Sequence, residues 1–143
     1  MRLQAAPAGH EIVRHADGWV DITRFRLPEG AEDRSVLAAL IAHDVYGCDH
    51  AGGEPGSDPA RHGPYWREAV TPESFDRVDV STAAAELPAC AEVKKEVLAA
   101  QRVYRLRELG GEAIHDWGWV LWEFQEFVLI GADEVVLVVA AID

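Results

Sequence analysis

The chain has 143 residues, 49% hydrophobic and 27% charged, which is globular composition with enough length to bury a core in one domain. Its 25 Asp and Glu against 13 Lys and Arg give a formal charge of −12, so neither nucleic acid nor an anionic membrane surface is an expected partner. The start of the chain has no apolar run, and the longest run, Val135–Ile142, is eight residues where a membrane helix needs about twenty, so neither a signal peptide nor a spanning helix is expected.

The first element expected is a β-hairpin. Residues 10–16 and 19–25 flank Asp17–Gly18, a pair suited to a two-residue turn in which both positions take positive φ. That turn would set Arg14 opposite Asp21, Glu11 opposite Arg24 and Val13 opposite Ile22, two opposite-charge pairs and an aliphatic one. Pro28–Glu29–Gly30 ends the second strand.

A helix follows from Asp33 or Arg34 to Tyr46, with Val36, Leu37, Leu40, Ile41 and Val45 on one side. Asp33 is placed to cap its start and Gly47 to end it. From Gly47 to Pro64 there are five glycines and three prolines and no periodicity, the mark of a long loop. Thr71–Pro72–Glu73–Ser74 resembles a helix start, with Pro72 in the first position, and Arg77–Val80 reads as a short strand.

Pro88 opens what reads as a long helix, about Ala89 to Leu109, with Val93, Val97, Ala100 and Tyr104 in one stripe, widened by Ala99, Val103 and Leu106, and Gly110–Gly111 as its stop. The chain closes on a second hairpin: Trp119–Ile130, a turn at Gly131–Glu134, and Val135–Ile142. With hairpins at both ends and helices between, the expectation is an α+β fold in ββα–loop–αββ order. Its antiparallel sheet would carry two main helices in one domain spanning 1–143.

Alternation places Trp122, Phe124, Glu126, Val128 and Ile130 on one face of the last hairpin and Leu121, Glu123, Gln125, Phe127 and Leu129 on the other. The last strand is apolar on both faces: Val135, Leu137 and Val139 on one, Val136, Val138 and Ile142 on the other. Either helices cover both faces, or one face packs on something outside the chain, which would make the hairpin a self-association surface. Glu126 stands among apolar neighbours. Desolvated, it could act as a general acid or base; the expected alternative is a strand-edge or interface glutamate held by a hydroxyl, an indole or an arginine.

The acid excess is uneven. Residues 72–143 carry 14 acids and 6 bases, and after Arg107 there are eight acids and no base. Trp117, Trp119 and Trp122 lie within that stretch beside Glu112, Asp116 and Glu123, so these six form the candidate partner-binding set, aromatic anchors in an acidic surround.

His43, Cys48, His50 and His62 are the densest metal-ligand types, with Cys90 and His115 elsewhere, but the spacing matches no zinc pattern and no metal or other cofactor is expected. Acidic neighbours would dull Cys48 as a nucleophile. No P-loop, G-x-G-x-x-G, G-x-S-x-G or H-E-x-x-H occurs. Two cysteines fit a reducing, cytoplasmic setting.

The function these features suggest is a non-catalytic acidic binding protein recognising a basic macromolecule, as an inhibitor or immunity-type protein or an accessory subunit. The alternatives are a small-molecule binder or enzyme using Glu126, Trp117–Trp122 and the 43–62 cluster, or a structural homodimer joined through the C-terminal hairpin.

Overall fold

A computed structural model of the protein describes residues 1–16, 18–46, 70–107 and 123–142. The strands are β1 (Gly9–His15), β2 (Gly18–Arg26), β3 (Phe75–Val78), β4 (Arg102–Leu106), β5 (Glu123–Ile130) and β6 (Glu134–Ile142). The helices are α1 (Asp33–Ile41), α2 (Val80–Glu86) and α3 (Ala91–Ala99), with a 3-10 turn at Pro72–Ser74. The strands form one sheet in the order β1-β2-β6-β5-β4-β3, every neighbouring pair antiparallel. This is the expected α+β class, with three helices rather than two main ones and with β4 added beside the terminal hairpins and the expected short strand, β3.

Both faces of the sheet are covered by the chain's own helices. On one face α1 sets Val36, Leu37 and Leu40 against Phe25, Val128, Ile130, Val135 and Leu137. On the other, Ala83 and Leu87 at α2 and Val93 and Val97 of α3 meet Val20, Ile22, Val103, Phe127, Leu129, Val136 and Val138. Burying each large side chain stabilises the fold by about 1.5–3 kcal/mol, and the stretches packed on both sides, Phe127–Ile130 and Val135–Ala140, are apolar throughout. That accounts for the described apolar residues of β5 and β6 within the chain. The turn between them lies where expected, with Ile130 paired to Val135 and the Gly131 N–H donating to the Glu134 carbonyl at 2.9 Å. Gly131 passes close to the end of α3: a Cβ there would sit 3.1 Å from the Ala99 carbonyl oxygen.

The first hairpin forms, but two residues away from the expected register. Its last pair is His15 with Gly18, so Arg14 faces Trp19, Val13 faces Val20 and Glu11 faces Ile22. Gly18 belongs to β2, and among the described residues only Gly30 has positive φ, at 72°. On its other side β2 pairs with β6 from Gly18 to Arg26, so Gly18 is a strand residue and not part of the turn. A slip of two keeps every side chain on its own face, so the apolar pattern does not oppose it. Exposed cross-strand charge pairs are worth only about 0.2–1 kcal/mol and cannot hold the register alone.

The long helix expected from Ala89 to Leu109 is two elements. It ends at Ala99, and the chain turns through Ala100–Gln101, where the Gln101 N–H donates to the Ile130 carbonyl at 2.8 Å. Arg102–Leu106 then pairs with β5 on one side and β3 on the other. Val103 lies in the α2–α3 cluster while Tyr104 packs with the α1 cluster, an alternation of period two. The first helix is also shorter than expected, ending at Ile41, and its cap position is Glu32 rather than Asp33. The short strand runs Phe75–Val78, and Thr71–Ser74 is a single 3-10 turn closed by the Thr71 N–H on Ser74 Oγ at 3.0 Å. Among the described residues no helix is long and apolar enough to cross a membrane. The long Gly/Pro-rich loop of 47–64 lies outside the described residues.

Candidate functional site

Strand register brings two buried carboxylates onto the α1 face of the sheet. One row across the strands reads Ile12 on β1, Asp21 on β2, Val139 on β6 and Glu126 on β5. Two strand spacings separate the backbones of Asp21 and Glu126, about 10 Å, with Val139 between them. Asp21 and Glu126 are 5% and 2% exposed, and burial of this depth is tolerated only where donors reach the carboxylate.

Each has such a donor. The Tyr46 hydroxyl, just beyond α1, donates to Glu126 Oε2, and Tyr46 is itself buried in the α1 cluster. Glu126 is thus held by a hydroxyl, one of the donors the sequence suggested, but it lies on a central strand rather than at a strand edge or interface. Asp21 Oδ1 accepts from Thr23 Oγ1 at 3.1 Å and from His10 Nε2 at 2.9 Å. The His10 side chain is 45% exposed, so the Asp21 cluster reaches solvent through it.

Asp21, Thr23, His10 and Tyr46 did not stand out as site residues in the sequence. A signal existed for two of them: Asp21 and Thr23 share the inward parity of Trp19 and Phe25, all four buried. Tyr46 is 80 positions from Glu126, and no local pattern links them.

His43 is occupied. Its Nδ1 accepts from the Val45 N–H at 3.1 Å and its Nε2 donates to the Gln4 carbonyl at 2.7 Å, the neutral tautomer pinned at both nitrogens. The ring also meets Phe25 edge-on, centroids 4.7 Å apart. A metal ion would have to displace a backbone hydrogen bond to reach it. Cys48, His50, His62 and His115 lie outside the described residues, and among those described no group of three or more His, Cys, Asp or Glu could hold a metal ion. Cys90 is a half-buried free thiol packed beside the α2–α3 cluster.

Five arginines bind this chain's own carboxylates. Arg24, on β2, binds Glu96 of α3 at 2.7 Å, with Glu11 at 3.4 Å. Burial works against the charge on Arg24, but the hydrogen bond and charge of Glu96, helped by Glu11, hold its pKa above the ordinary value. Arg102 Nε reaches both Asp33 oxygens, at 2.8 and 2.9 Å, and the Tyr104 hydroxyl donates to the same carboxylate at 2.6 Å. This is why Asp33 does not cap its helix. Burial raises the Asp33 pKa, yet the bonds from Tyr104 and Arg102 and the charges of Arg102 and Arg77 outweigh it and the net shift is downward. Burial and the bond to Asp33 raise the Tyr104 hydroxyl. Arg34–Glu73, Arg105–Glu86 and Arg107–Asp76 close at 2.7, 2.6 and 2.7 Å on the surface.

Of the six candidate partner-binding residues, Glu112, Asp116, Trp117, Trp119 and Trp122 lie outside the described residues. Glu123 opens β5, its backbone paired with Ile142 of β6.

Fold and site together define an α+β protein with helices on both faces of an antiparallel sheet and buried, hydrogen-bonded carboxylates on one of them. Comparison with protein-family models, curated proteins and solved structures finds no match.

Proposed function

We propose that the chain is a non-catalytic acidic binding protein whose partner is a basic macromolecule, in the manner of an inhibitor or immunity-type protein or an accessory subunit. The observation that supports it most is the disposition of the arginines. Arg24, Arg34, Arg102, Arg105 and Arg107 are each tied to a carboxylate within the described residues. Beyond Arg107 there are eight acids, no base and three of the five tryptophans. The acid excess is concentrated in one stretch of the sequence, and the same stretch is rich in tryptophan, a residue type that commonly anchors a partner.

Charges at the rim of an interface act mainly on the association rate, by steering a partner of opposite sign. Screening at physiological ionic strength shortens that steering to about 8 Å. The test is a basic protein recovered on the immobilised chain and then measured by association kinetics across a salt series. The association rate is expected to fall as salt rises while dissociation changes little. A rate indifferent to salt contradicts the proposal.

A second reading draws on the Asp21–Glu126 row: a small-molecule site on the α1 face. Two buried carboxylates with His10 at the margin are the observation in its favour. Against it, both carboxylates already accept hydrogen bonds from this chain's own Thr23, His10 and Tyr46, which is how structural carboxylates are held.

A further inference from the structure

We draw no further inference here: the strongest candidate, the His10–Asp21–Thr23 side-chain cluster on the α1 face where β1 meets β2, belongs to the site already described, and nothing among the described residues shows what ligand or substrate it would take.

Discussion

The two hairpins of this sheet are built from similar material and obey different constraints. In the C-terminal pair, Phe127, Val128, Leu129 and Ile130 face Val138, Leu137, Val136 and Val135, and all eight are buried. In the N-terminal pair, only β2 is buried along most of its length, while β1 alternates half-buried with exposed positions. A misplacement of the first pair exposes no apolar residue as long as it preserves parity. A misplacement of the second disturbs two cores at once. The lesson is that register is set by what packs on a strand, and a turn dipeptide with charge pairs only proposes it.

The largest test of that difference is truncation inside the C-terminal hairpin. Phe127 is fully buried between β5 and the α2–α3 helices. Phe127→Ala should cost about 3–5 kcal/mol, by lost transfer energy and the cavity left behind. Urea unfolding followed by far-UV circular dichroism measures it, and a loss below about 1 kcal/mol would show that this core is not as described.

A smaller effect is expected at the buried carboxylate. Tyr46→Phe removes the hydroxyl donor to Glu126 and should destabilise by about 1–3 kcal/mol, the range for taking a hydrogen-bond partner from a buried polar group. Glu126→Gln in the Tyr46→Phe background should recover part of that loss, because an amide is cheaper than a carboxylate to bury without that donor. No recovery would mean that the charge on Glu126 is not what Tyr46 serves.

Asp33 provides the pH dependence. Its folded pKa lies below the ordinary 3.8, so its contribution is fully present above that value and is lost as pH falls through the folded pKa. Unfolding midpoints between neutral pH and pH 2 should fall along that acid limb, and Asp33→Asn should flatten it while leaving the shape of the curve at neutral pH unchanged. An acid limb of the same slope in both proteins would contradict the assignment.

The smallest effect belongs to the first hairpin. Glu11 lies 3.4 Å from Arg24 with its side chain 38% exposed. Glu11→Ala should change stability by no more than about 1 kcal/mol, as exposed pairs do. A larger loss would mean that charge pairs hold this hairpin's register after all.

The same physics decides what could be read in advance. Strand parity was legible because it depends only on neighbours two apart, so the split of Val128 and Ile130 from Phe127 and Leu129, and the burial of Glu126 among apolar side chains, followed from alternation. The division of residues 89–109 was not, because Val103 and Leu106 also fit a helical stripe with Val93 and Val97. Only pairing with β5, a long-range contact, turns Arg102–Leu106 into a strand. Likewise Asp33 satisfies the local requirement for a cap, and it takes Arg102 and Tyr104, about seventy residues on, to show that its carboxylate is used elsewhere. The α2 helix, Val80–Glu86, has only two turns and a weak apolar pattern, and it shows its role only beside α3.

The central claim is that the acidic C-terminal stretch recognises a basic partner. Its most direct test is the association rate of a variant with Glu112→Gln, Asp116→Asn and Glu123→Gln, compared with the parent chain and the same partner at low salt. The account predicts a slower association, a shallower dependence on salt, and an unfolding free energy within about 0.5 kcal/mol of the parent. An unchanged association rate in a folded triple variant would contradict it.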